Sequence, residues 1–122
     1  MLIIRDKQMR ALGQAREKAF MKRAVRHLTD AFPKKCGDLG EPAVTRSALS
    51  GMNAAKRYGL ELEVEILRYL NLTYIFGFDF DGLPWASEIL TDTELSGESK
   101  IEELMEAAFE AEAAMAEETA HG

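Results

Sequence analysis

Apolar residues recur at helical spacing along most of the chain, and polar residues fill the remaining positions. The first periodic segment runs from about Asp6 to Phe32, with Asp6 as its expected N-cap and Pro33 as its stop. At 100° per residue Phe20, Met21, Ala24, Val25, Leu28 and Phe32 share one side, which predicts a core-facing stripe. Arg16, Lys18, Lys22, Arg23 and Arg26 gather on the other side, and Gly13 weakens the first turns. Residues Pro33 to Gly40 read as a connection. A second helix is expected from Pro42 to Tyr58 on the positions Val44, Ala48, Leu49, Met52 and Ala55, weakened at Gly51 and closed by Gly59 in a left-handed conformation.

A third helix is expected over Glu61 to Phe76. Its early glutamates Glu61, Glu63 and Glu65 suit the positive end of the helix dipole. From Ile66 onward its apolar residues point in nearly every direction, which predicts a central buried helix. A strand over Leu72 to Phe80 is the rival reading, because Tyr, Ile and Phe favour pleated surfaces. Gly77 through Pro84 breaks the pattern. A short helix follows from Pro84 through Leu90, with Asp81 near its start, and a last one from after Ser96 to about Glu118. That last helix sets Ile101, Leu104, Met105, Ala108, Ala111 and Met115 against an acidic face of Glu102, Glu103, Glu106, Glu110 and Glu117. The fold class that follows is all-α, a compact bundle of about four to five helices around a central apolar helix. It is expected to be a single domain over residues 1–122 whose last few residues, Thr119 to Gly122, are mobile.

Composition narrows the setting. With 122 residues, 47% of them hydrophobic, the chain has enough apolar material for one core and not for two. No apolar run approaches the roughly 20 residues of a spanning helix. Charges appear by Arg5 and Asp6, too early for a secretory leader, and the one cysteine cannot form an internal disulfide. A cytoplasmic protein without a membrane partner is the expectation. The net charge of −6 conceals a division: residues 1–60 carry 13 basic and 5 acidic side chains, net +8, and residues 61–122 carry 2 and 16, net −14. Such polarity acts either inside the fold, between helices, or outside it, as two surfaces steering different partners.

The residues that could carry chemistry are few. Of two histidines, His121 is penultimate, and His27 stands among cations that favour its neutral form, so a structural or surface role is expected. Cys36 beside Lys34 and Lys35 has cations to stabilise a thiolate but no partner motif, and reads as a loop cysteine. Asp79, Asp81, Gly82 and Glu88 superficially suggest a calcium loop. Counting from Asp79, however, puts Leu83, Pro84 and Leu90 where an oxygen ligand, Gly and a bidentate acid belong. No Gly-rich phosphate loop is present. The expectation is therefore no catalytic residue, no cofactor and no metal. The basic face of the first helix could meet phosphates, but sixteen carboxylates in the second half oppose a polyanion, so nucleic acid is not the expected partner. Phe78, Phe80 and Trp85 either close the core at the chain reversal or, where exposed, anchor an interface.

One set of local sequences is more specific. The opening Ile4-Arg5-Asp6-Lys7-Gln8-Met9, then Tyr58-Gly59-Leu60, Arg68-Tyr69-Leu70, Phe76-Gly77-Phe78-Asp79-Phe80-Asp81 and Trp85-Ala86-Ser87-Glu88-Ile89-Leu90 resemble a group of small helical proteins of Gram-negative bacteria. Those proteins are encoded beside type VI secretion effectors and their adaptor chaperones. The group's patterns run IRDxQM, RYG, RYLDL, GxDFD and WAxxIL, and the likeness covers nearly all of the chain except its Ala/Glu-rich end. This chain departs in carrying Asn71 where an acid is common and Phe78 where Pro is frequent. The resemblance implies a non-catalytic accessory or co-chaperone role, binding an adaptor chaperone or secreted effector and regulating its loading, and brings no active site with it. On that reading Arg16, Arg23 and Arg26 offer cationic contacts, Phe78, Phe80 or Trp85 offer anchors, and homo-oligomerisation stays open. The alternatives are an immunity or antitoxin-type protein that binds a toxic effector domain directly, and a nucleic-acid regulator.

Overall fold

The computed structural model describes residues 2–121, with side chains over 13–117. Its described residues form six α-helices and one 3-10 turn, without a strand, so the chain is all-α. In order these are α1 (Leu2–Ala31), α2 (Pro33–Leu39), α3 (Glu41–Arg57), α4 (Glu63–Phe76), the 3-10 turn Phe80–Gly82, α5 (Pro84–Leu90) and α6 (Gly97–His121). The strand reading for Leu72 to Phe80 loses to a helix that continues to Phe76. The expectation of a mobile chain end falls on residues outside the described side chains.

The chain divides into two compact units, residues 1–49 and 50–122. In the first, α1 packs on α2 and buries Phe20, Ala24 and Leu28. α1 begins at Leu2, so Asp6 lies inside the helix and not at its cap, and the helix runs through Gly13 without a break. The segment expected to be a connection contains α2. Pro33 does end α1, but its fixed φ and missing N–H also suit the first turn of the next helix. Cys36 is therefore a buried helical residue and not a loop cysteine. Leu49, expected in the core, is 46% exposed, whereas Val44 and Ala48 of the same stripe are buried.

The second unit starts within α3, where Met52 and Ala55 are buried. Gly51 is explained by close approach: a Cβ there would collide with a methyl of Leu70, which is fully buried in α4. A Schellman closure ends α3. Gly59, at φ 89°, donates to the Lys56 carbonyl, and Leu60 donates to Ala55 while its side chain is fully buried. Seven residues of α4 are buried, from Glu65 to Tyr74, although Ile75 is 44% exposed. Glu65 is the buried member of the early glutamates because its Oε1 accepts the N–H groups of Glu61 and Leu62, both at 3.2 Å, meeting two donors that the helix start leaves unpaired. α4 packs on α6 and on the 3-10 turn, and α5 packs on both of those.

Ser96 starts α6 as expected, its Oγ accepting the Ser99 N–H at 3.2 Å. One turn later comes Lys100, only 7% exposed. Its Nζ donates to the carbonyls of Tyr58 at 2.7 Å and Leu90 at 2.9 Å, one just past the end of α3 and the other at the last residue of α5. Among the described residues no buried side-chain nitrogen or oxygen lacks a hydrogen-bond partner. Replacing Lys100 by Met keeps most of the apolar stem and leaves both carbonyls unmet, so Lys100→Met should lower unfolding stability by about 3 kcal/mol. Lys34→Met, at an exposed position, should cost less than about 0.5 kcal/mol. Urea denaturation of the two variants tests this difference.

Candidate functional site

The residues singled out in the sequence fall into two groups, one in each unit. In the first unit Arg16, Arg23 and Arg26 are all exposed on α1, together with Lys18 and Lys22. The buried positions Phe20, Ala24 and Leu28 follow the helix repeat and the cations take the remaining directions, Arg16 and Arg23 one turn before and after Phe20, and Lys22 and Arg26 farthest from the buried stripe. The Arg23 guanidinium carbon lies 6.0 Å from the centroid of the Phe20 ring, within range of a cation–π contact. Also in this unit, Val25, Thr29, Pro33, Cys36 and Val44 line a mostly apolar groove of about 460 Å³.

The second group is aromatic. Rings follow one another from α3 to α5: Tyr58 to Tyr69 at 6.3 Å, Tyr69 to Phe80 at 5.0 Å, Phe80 to Trp85 at 6.3 Å and Trp85 to Phe76 at 5.2 Å. Their tilted and edge-on geometries are those the ring quadrupoles favour. Phe80 is fully buried in this series and so takes the core-closing alternative and not that of an interface anchor: the 3-10 turn after Gly77 directs it inward, onto Tyr69. Trp85 is half-buried between Phe76 and Phe80. Phe78 is 50% exposed and meets Tyr74 edge-on at 5.4 Å. Of the three candidate anchors, Phe78 therefore presents the most surface.

Asp81 does not cap α5. Its Oδ2 accepts the Tyr58 hydroxyl at 2.8 Å, joining the end of α3 to the 3-10 turn. Burial raises the Tyr58 phenol above its ordinary value of 10.0, and the hydrogen bond to Asp81 and that carboxylate's charge raise it further, against a smaller opposing effect of Arg57. Burial, then the charge of Asp81, pushes the Tyr69 phenol up much more strongly. Sequence spacing held no sign of the Tyr58–Asp81 bond, which joins residues 23 apart.

Among the described residues no group of three or more His, Cys, Asp or Glu side chains is placed to hold a metal ion. Asp79, Asp81 and Glu88 thus make no converging ligand set. No described helix is long and apolar enough to cross a membrane. The structure adds a surface absent from the expectations: on α6, Phe109 is 76% exposed and Met105 38% exposed beside the acidic face. The helical angle of Phe109, well off the Ile101–Leu104–Ala108 stripe, was the available signal. No family model, curated protein or solved structure matches the chain.

The two tyrosines make the fold sensitive to alkali. Unfolded tyrosines ionise near pH 10, while the folded ones hold their protons to higher pH. The stabilising contribution is therefore complete below about pH 10 and is lost as the pH rises from there through the folded values. Urea midpoints should fall progressively above about pH 10, in step with tyrosinate absorbance, and Tyr69→Phe should flatten the fall. A midpoint unchanged across that range would contradict the assignment.

Proposed function

We propose that this chain is a non-catalytic accessory protein, a co-chaperone of bacterial type VI secretion, which binds an adaptor chaperone or a secreted effector in the cytoplasm and regulates effector loading. The resemblance in the sequence motivates the secretion context. The observation that carries a binding role is the cationic face of α1, where Arg16, Arg23 and Arg26 all stand exposed at spacings of seven and three residues, close to whole helical turns.

Several of the motif residues behind the resemblance hold this fold together. Tyr58, Tyr69, Phe80 and Trp85 make the ring series, and Asp81 fixes Tyr58. Recognition then rests on side chains outside that network: the α1 arginines, which steer and orient an acidic surface of the partner, and Phe78, whose exposed ring supplies apolar contact area. Exposed charges of this kind contribute modestly one at a time and act mainly on encounter rate and register, so a partner held by them responds to salt.

Co-expression with a type VI secretion adaptor chaperone and its effector, followed by affinity purification of the complex, tests the reading. The triple variant Arg16→Glu, Arg23→Glu, Arg26→Glu should weaken the complex about tenfold or more, with a greater effect at low salt, while leaving its own melting temperature near that of the parent. Phe78→Ala should weaken it independently of salt. A complex unchanged by the triple variant at every salt concentration removes the α1 face from the proposal. Protection of cells from an effector toxin expressed without its adaptor favours direct immunity instead.

A further inference from the structure

Along α6 the apolar positions and the core part company. Ile101, Leu104 and Ala108 are buried, and no residue from 112 to 117 is. Met105 and Phe109 are four residues apart and form one exposed row. Glu102, Glu106 and Glu110, all exposed, form the adjacent row, with Glu102 and Glu106 each three residues before a member of the apolar one. Beyond the acidic row lies a groove of about 400 Å³ between α5 and α6, to which α5 and the residues after it add Glu88, Asp92, Ile89 and Leu95. Apolar surface and negative charge thus run side by side along one helix.

From this juxtaposition we propose that the α5–α6 face, centred on Phe109, Glu106 and Glu110, is a docking surface for a cationic amphipathic helix of a partner protein. Charge complementarity selects the occupant. The carboxylates are spread along the helix and do not converge on one ion, so they suit Lys and Arg side chains distributed at helical spacing. Phe109 and Met105 lie outside the groove, across the acidic row from it, and ask for large apolar residues on the neighbouring row of the same partner helix, the arrangement of an amphipathic segment laid along α6. A second copy of this chain fits less well. The described part of the α1 cationic face offers only Ala15 and Ala19 among its arginines, too little apolar surface to cover a phenylalanine ring that is 76% exposed. This surface is separate from the α1 arginines and the proposed secretion role, and either can fail without the other.

The test uses the full chain and a fluorescein-labelled helical peptide of Leu and Lys, with Leu at i, i+4 spacing on one side and Lys on the other. A peptide of identical composition, scrambled to abolish the apolar side, is the comparison. The amphipathic peptide should bind at least about tenfold more tightly than the scrambled one, and Phe109→Ser should weaken it about tenfold or more. Glu106→Lys with Glu110→Lys should do the same, whereas Asp38→Lys with Glu61→Lys, reversals at exposed sites elsewhere, should leave most of the affinity. Unchanged thermal melts establish that the variants fold, which is expected because the substituted side chains are exposed. Equal binding of both peptides, or full affinity in Phe109→Ser, overturns the proposal. So does self-association of the parent chain that Phe109→Ser abolishes, since the occupant is then a second copy.

Discussion

The second unit depends on how a buried ammonium is accommodated. Lys100 stands one turn inside the N-terminal end of α6, where the helix dipole disfavours a cation, and it is almost wholly removed from water. Both costs are offset by where its stem leads: to the carbonyls of Tyr58 and Leu90, at the negative ends of α3 and α5. One side chain thereby fixes the start of α6 against the ends of two other helices. Glycine at position 97 fits the same constraint, because a Cβ there would come within 2.7 Å of the Gly59 carbonyl oxygen. The start of α6 can approach the Schellman turn closely only without that atom.

The aromatic series depends on the same turn. Tyr58 offers its carbonyl to Lys100 and its hydroxyl to Asp81, and its ring adjoins Tyr69. A shift of the α3 end would therefore disturb the ammonium, the 3-10 turn and the first ring pair together. Such sharing of partners is the condition under which substitutions cease to be additive, so changes at Tyr58, Asp81 and Lys100 are expected to couple. Burial is the larger cause of the two raised phenols, and the negative charge of Asp81 adds to it in both.

The legibility of these features in the sequence follows from the range of the forces that make them. Helices α4, α5 and the start of α6 were readable because their signals are local: a run of apolar residues, Pro84 at a first turn, Ser96 as a cap. The left-handed Gly59 was readable for the same reason. α2 was hidden because Pro33 marks a helix end and a helix beginning equally well, and seven residues are too few to show a repeat. The Lys100 contacts span 42 and 10 residues and the Tyr58–Asp81 bond spans 23, distances over which periodicity carries no information. Phe80 was ambiguous in principle, since Phe78 and Phe80 alternate around a turn whose geometry decides which ring goes inward. Of the candidate site, the exposed arginines were legible as a helix face, while the choice among Phe78, Phe80 and Trp85 required the fold.

Charge now has a structural meaning that the halves of the sequence only outlined. The unit of residues 1–49 carries 11 basic and 5 acidic residues, net +6, and the unit of residues 50–122 carries 4 and 16, net −12. Each sign includes a row on an exposed helix face, at Arg16, Arg23 and Arg26 on α1 and at Glu102, Glu106 and Glu110 on α6. An outer face that served only solubility would need charges and no large apolar side chain among them. The acidic face carries more than that, because Met105 and Phe109 expose apolar surface directly beside the carboxylates. Exposure of a ring at that place costs free energy in the free protein, and contact with a partner is the means by which it is recovered.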